Sequence, residues 1–373
     1  MKLTITLLFA STLIARVAIA AAPSPSRTLV LLPPSNFSGS EEAAPVIFKL
    51  LSKRIESRGW SIAPIAEVEQ ALEAERIRYF DSLPAASHQS LRERFGASAV
   101  VVATVLTFRQ TSEPAVAVSA RMIDSKGLVV WGNLVALTSS ETEGALGFGR
   151  AASAADLSRD VAAQLMREFP RPGRRGHVEP GPASLESAGP KTYRSAKHPY
   201  GYRRRVCILP FASTVPEASH VVLEVLTARL ASSDDFTVIE PAEFRVAMRA
   251  AGLRSVASMT STELAQLGKV LGTMLFLRGN VYTFREGAGG RAEIQLDMNL
   301  ADVETGEVLW AVSHERRGSD YSGLLSHGTV SSVIGLADRL ISEAILAQSR
   351  AKLRVPGRNA QPPRTPSAAQ KER

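Results

Sequence analysis

Cysteine is almost missing from this sequence. One residue in 373, Cys207, carries a thiol, so no disulfide can form within the chain and stability has to come from packed cores. Beyond the first twenty residues, no stretch approaches the 18 or more apolar residues of a membrane-spanning helix. Aromatic residues make up only 6%, which leaves the cores to aliphatic side chains. Catalytic signatures are missing as well. None of His88, His177, His198, His220, His314 and His327 stands four residues from another, and no His-Glu-x-x-His occurs. His314 beside Glu315 reads as a solvated strand end, because the rest of a metal-ligand set is lacking. There is no Gly-x-Ser-x-Gly elbow. The run Gly144–Gly149 lacks both the Gly-x-Gly-x-x-Gly spacing and a strand leading into it, so it reads as a loop and not as a phosphate cradle. Cys207 lies between Val206 and Ile208 in an apolar run, which makes it a core residue and not a nucleophile. The expectation is a protein with no catalytic residue, no cofactor and no metal, hence not an enzyme.

The formal net charge of +8 invites a nucleic-acid reading, but its distribution excludes one. Nine Lys and Arg lie in 170–205 against Glu179 and Glu186, a net of +7, and seven lie in 348–373 against Glu372, a net of +6. What remains carries a net of −5, so neither folded part offers the basic groove that nucleic acid requires. A polybasic linker and tail instead suit weak contact with anionic lipid headgroups.

Met1–Ala20 reads as a secretory signal. Lys2 is followed by an apolar run of 13 residues, Leu3–Ala15, and Ala18-Ile19-Ala20 places small residues at both cleavage positions. The run is short for an uncleaved anchor. Cleavage near Ala20 predicts a periplasmic or secreted protein. With no cysteine after that site, the chain is expected not to be a lipoprotein.

The chain is written twice. Residues 61–108 align without a gap on 237–284, and eleven of the 48 pairs are identical, where ordinary composition gives about three. Glu67/Glu243, Leu91/Leu267, Gly96/Gly272 and Thr107-Phe108/Thr283-Phe284 are among them. Ala301–Trp310, with its turn at Glu304-Thr305-Gly306, returns as Met122–Trp131, so both hairpins end on Trp. Helical stripes at Ile47, Leu50, Leu51, Ile55 and at Val222, Val225, Leu226, Leu230 repeat with the same spacing. Each copy reads β-α-β-α-α-β-β-β-α, an α/β unit with a mixed sheet flanked by helices. Its first three strands are parallel through crossovers, and the last three form a meander. Ser87 is a candidate cap for the short helix ending at Gly96; Thr260 with Glu263 forms a capping box for its counterpart, and Ser322–Gln348 reads as the closing helix. The expected boundaries are a signal at 1–20, a domain at 27–169, a Pro/Gly-rich mobile linker at 170–202, a domain at 203–347, and a disordered tail at 348–373.

Leu209-Pro210-Phe211, then Phe236–Met248, Leu267–Val281 and Ala301–Ala311, resemble the envelope-protein superfamily that includes CsgG, LpoB and the amino-terminal domain of TolB. Thr273-Met274 departs from the Ala-Asp usual there, and the first copy is more degenerate, with Leu32-Pro33-Pro34 and Phe95-Gly96-Ala97-Ser98. The resemblance implies binding and assembly at the cell envelope without catalysis. The turns Thr111–Pro114 and Glu286–Gly290 are too short for the long hairpins of a CsgG-type pore. The function expected is an adaptor or assembly factor recognising envelope proteins through sheet edges, hairpins and a groove between the domains. A ring-forming scaffold of an export apparatus, distinguished by high-order oligomers, is the alternative. An envelope enzyme with a site between the copies is another, requiring convergent His and carboxylates. Partner-binding candidates are Trp131 and Trp310, whose other reading is core packing, and Arg203, Arg204 and Arg205.

Overall fold

The computed structural model describes residues 27–142, 149–172, 189–195, 204–256, 259–287, 292–322 and 328–350. The signal, the glycine run at 144–148, Arg203 and the tail beyond 350 lie outside the described residues.

The first half runs β1 (Thr28–Leu31), β2 (Ser35–Asn36), α1 (Ala43–Ser57), β3 (Ser61–Ile62), α2 (Ile65–Ala74), α3 (Ala85–Phe95), β4 (Ala99–Arg109), β5 (Ala115–Ile123), β6 (Leu128–Thr138) and α4 (Ala154–Leu165). A further strand, β7 (Lys191–Arg194), follows. The second half repeats the order as β8 (Arg204–Ile208), β9 (Ala212–Ser213), α5 (Pro216–Ala231), β10 (Phe236–Ile239), α6 (Pro241–Ala250), α7 (Ser261–Leu271), β11 (Leu275–Arg285), β12 (Glu293–Asp302), β13 (Glu307–Arg317) and α8 (Val333–Arg350). Local chemistry explains the matching ends. α3 and α7 both stop on a left-handed glycine, Gly96 at φ 57° and Gly272 at φ 67°. The Thr260–Glu263 capping box opens α7 as the sequence predicts. α3 instead starts behind Pro84, with Ser87 already in its first turn, since proline fixes the φ needed at a helix entry. The last helix begins at Val333, eleven residues later than expected, and a separate 3-10 turn at Gly318–Tyr321 precedes it.

In each half three strands are parallel, β3–β1–β4 and β10–β8–β11, with short β2 and β9 also parallel to β4 and β11, and β4–β5–β6 and β11–β12–β13 form antiparallel meanders. The register slips at equivalent places, Val105/Thr107 and Val281/Thr283. Two separate sheets are not what results. β6 pairs with β10 antiparallel, Val129 opposite Val238, and joins all thirteen strands into one sheet. The linker is also not free throughout: β7 lies antiparallel along β13, Tyr193 opposite Ala311, and closes the far edge. Lys191–Arg194 is polar and largely exposed, as suits an edge strand, and carries no apolar alternation that would mark it within the Pro- and Gly-rich sequence around it.

Helices cover both faces. α1 and α4 pack on β4 and β5, and α2 and α3 on the opposite side of β1 and β4. α6 and α7 cover one face of β8 and β11. The largest core gathers around α5 and α8, and it takes in Ala117, Val129 and Leu134 of the first half. One core therefore spans the two copies, with no groove between them at this point.

Candidate partner-binding face

The two meanders are equivalent in sequence and opposite in surroundings. Thr104 pairs with Ser119 and its counterpart Asn280 with Asp297, so Ser119 and Asp297 occupy the same place. By the same register Arg121 matches Asn299, Ala117 matches Gln295, Gly132 matches Ala311, Leu134 matches Ser313, and Ala136 matches Glu315.

In the first half this face is covered by α5. All nine residues of β5 are buried. An added Cβ at Gly132 would stand 2.8 Å from the Cα of Ala228, so glycine is what allows the helix to lie on β6. Arg121, 3% exposed, donates from Nε to Glu240 (2.9 Å to Oε2), from Nη1 to Glu224 (3.0 Å to Oε1), and from Nη2 to the carbonyl of Asp81 at 2.8 Å. Ser119 Oγ donates to Glu224 at 2.6 Å. Burial alone works against the Arg121 charge, but Glu224 and Glu240 outweigh it and hold the guanidinium protonated above its ordinary pKa. The two carboxylates sharing it are split. Burial opposes the Glu224 charge but Arg121 and Ser119 prevail and lower its pKa, while burial prevails at Glu240 and raises it. His88 lies nearby, 1% exposed, its pKa brought down to about 3 first by burial and then by Arg121. On the same joint Arg245 donates to the Asp81 carbonyl, and the Ala85 N–H at the start of α3 donates to Glu243 of α6, a carboxylate at a helix N-terminus.

In the second half no described helix packs on the equivalent face. β12 alternates over 293–300 and β13 over 311–317: Ile294, Leu296, Met298, Val312 and His314 are buried against α5 and α8, while Gln295, Asp297, Asn299, Ser313 and Glu315 look outward. Asp297 accepts from the Asn280 side chain at 2.9 Å and from the Tyr282 hydroxyl, and Arg278 donates to Asn299 at 3.2 Å. These bonds order the polar surface without covering it. A trough of about 390 Å³ runs over Ala311 and Ser313, bordered by Asn299 and by Tyr193 of β7. Tyr282 at 58% exposure and Tyr193 at 56% stand on this side of the sheet. A hollow of about 430 Å³ continues it past Gln295, Glu315 and Arg317.

The candidates read from the sequence fall elsewhere. Trp131 and Trp310 are 1% and 4% exposed, so neither can touch a partner; Trp131 packs edge-on to Phe169 at 4.8 Å, and Trp310 belongs to the α5–α8 core. Their hairpins close under helices, which turns the indoles inward. Arg204 and Arg205 do not form a linker end. They open β8, paired with Phe236 and Thr237, and their side chains are exposed. His314 is not solvated: β13 runs on to Arg317 and α8 covers it, leaving His314 Nε2 2.9 Å from Glu343. Glu343 also accepts from Arg316 Nη2 at 2.6 Å and from the Tyr321 hydroxyl at 2.9 Å, which pins α8 to the sheet. Burial and then Glu343 push the Tyr321 hydroxyl well above its usual pKa. Among the described residues no group of three or more His, Cys, Asp or Glu is arranged to hold a metal, and no helix is long and apolar enough to cross a membrane. The open face had a legible signal: polar residues at every second position of 293–299, against an unbroken run of small and apolar ones with a lone Arg121 in 115–123.

Among the described residues this is a duplicated mixed-sheet unit with one face left open, and each half has a counterpart among known families. Each half carries a segment similar to a family of envelope proteins. Residues 19–166 match the family described as "Putative lipoprotein GNA1162-like", and residues 220–315 match "Peptidoglycan-synthase activator LpoB". The first match overturns the expectation that the chain is not a lipoprotein, which rested on a missing cysteine alone. No curated protein matches the sequence. Similar solved structures include lipoprotein GNA1162 from Neisseria meningitidis, at 20% identity over 31% of this chain and 83% of that one, TM-score 0.27. They also include the PelC dodecamer from Paraburkholderia phytofirmans, at 16% over 42% and 96%, TM-score 0.26. The LpoB C-terminal domain from Salmonella enterica is a third, at 18% over 31% and 86%, TM-score 0.23.

Proposed function

We propose that this protein is a non-catalytic adaptor or assembly factor of the cell envelope, and that it works by binding another protein on the open face of β11, β12 and β13. One observation carries the reading: a surface that takes a helix in the first half is left uncovered by the described residues in the second, where it is ordered by side-chain hydrogen bonds and bordered by exposed tyrosines. Exposed tyrosine supplies contact area at low entropic cost, as binding surfaces commonly use it. The family matched by 220–315 is described as an activator of peptidoglycan synthase, which makes such a synthase the first partner to try. The basic stretches at 170–205 and 348–373 add electrostatic attraction to an anionic envelope surface.

A photo-crosslinking residue at Tyr282 tests this, with Val270 on α7, 75% exposed, as the control position. Exposure of the full-length protein to envelope extract is expected to give an adduct with a defined envelope protein from Tyr282 and none from Val270. Equal labelling at both, or none at either, would refute the reading.

A further inference from the structure

We propose that the open face accepts a second copy of this chain, with the outer side of α1 from one molecule seated on β11–β13 of the next. This rests on reading that face as a binding surface and names its occupant.

The contact already exists once inside the molecule, where the first helix of the second copy sits on the meander of the first. Glu224 of α5 meets Ser119 and Arg121 there. The helical stripes align Ile47, Leu50, Leu51 and Ile55 with Val222, Val225, Leu226 and Leu230, which puts Lys49 at the place of Glu224 and Lys53 at that of Ala228. On the sheet side, Asp297 stands where Ser119 stands and Asn299 where Arg121 stands. The charges are therefore exchanged: an acid on the helix and a base on the sheet inside the molecule, a base on the helix and an acid on the sheet at its two ends. Lys49 is exposed, and of α1 only Ala43, Ile47, Leu51 and Ile55 are buried, so the outer side of that helix is uncovered. With Asp297 in place of Ser119 on the sheet, a Glu at position 49 would be repelled, and Lys49 is attracted.

Two features make the contact between molecules looser than the one within. Ala311 replaces Gly132, so the helix cannot approach as closely, and Lys53 replaces the small Ala228. β7 is the second. The first-half edge is continued by β10, but β7 runs along Trp310–Ser313 of β13 and fills the corresponding lane. An arriving copy can seat its helix, while extension of the sheet across the boundary is restrained by the β7 strand. The contact is heterologous, so it adds molecules head to tail.

The test uses the full-length protein in light scattering across a concentration series, with circular dichroism to confirm folding. Ser195→Pro, which removes the N–H that donates to the Leu309 carbonyl of β13, is expected to raise the mean mass with concentration beyond that of the unaltered chain. Adding Lys49→Glu should weaken the association at least tenfold, and Asp297→Lys on top of it should restore it. As a second measurement on the unaltered background, Lys49→Cys and Asp297→Cys chains are mixed under oxidation. A mixed dimer that neither chain forms alone supports the proposal, since Cys207 is buried and takes no part. A folded Ser195→Pro protein that stays monomeric at every concentration overturns it, as does association indifferent to the charge exchange. Either result leaves the Tyr282 crosslink to another envelope protein standing on its own.

Discussion

β5–β6 and β12–β13 descend from the same segment, yet one is an interior and the other a surface. What separates them is a handful of side chains. Small residues, Ala117, Ser119 and Gly132, let α5 lie on the first meander, whereas Gln295, Asp297 and Ala311 keep the second one wet. The helices have diverged in step. α5 is buried around most of its circumference, including Glu224, while α1 keeps one apolar stripe and a charged outer side. Duplication gives two equal units; burying one unit's face under the other's helix is what makes them unequal, and the uncovered face is a by-product of the covered one.

The sharpest way to break this contrast is at the buried ion cluster. Arg121→Met takes from Glu224 and Glu240 the one cation hydrogen-bonded to both, and should cost about 3–5 kcal/mol in urea unfolding, whereas Asn299→Met, its counterpart on the open face, should change little. Next comes Gly132→Val, which drives a side chain into α5 and should destabilise by about 1–3 kcal/mol; Ala311→Val at the matching place should stay within about 0.5 kcal/mol. The third concerns acid. His88 sits where the second half has Leu264, and it is neutral when folded, its pKa near 3. The unfolded chain takes up that proton near pH 6.5, so the stability from keeping His88 neutral is complete above 6.5 and declines toward 3, by at most about 1.4 kcal/mol per pH unit. His88→Leu should flatten that part of the stability profile, measured by denaturant midpoints from pH 7 to 4. The smallest effect belongs to Tyr282→Ala, expected to leave the unfolding midpoint within about 0.5 kcal/mol while removing capture of the partner.

Much of the architecture was legible because it is carried by periodicity and punctuation. The gapless match of 61–108 to 237–284, the glycine stops at Gly96 and Gly272 and the Thr260–Glu263 box all act within a few residues of themselves. Joining of the halves was not legible, since β6–β10 pairing depends on two short stretches, Leu128-Val129 and Val238-Ile239, that any apolar strand resembles. The proposed face went unread for a related reason. Trp131 and Trp310 drew attention by residue type, but side-chain direction is set by which helix closes over the hairpin, and that is decided far away in sequence. Arg121 looked like one polar residue in an apolar strand. Its meaning lies in Glu224 and Glu240, more than a hundred residues on.

The position of β7 has a consequence for how the chain is made. Its lane on β13 is built from residues 310–313, so a ribosome must add more than a hundred residues after Arg194 before that lane exists. At ordinary translation speeds of about 5–20 residues per second, this is a wait on the order of ten seconds. The far border of the sheet is thus sealed by a segment synthesised earlier, last in assembly though central in sequence, and a truncated product ending before β13 would have nowhere to put it.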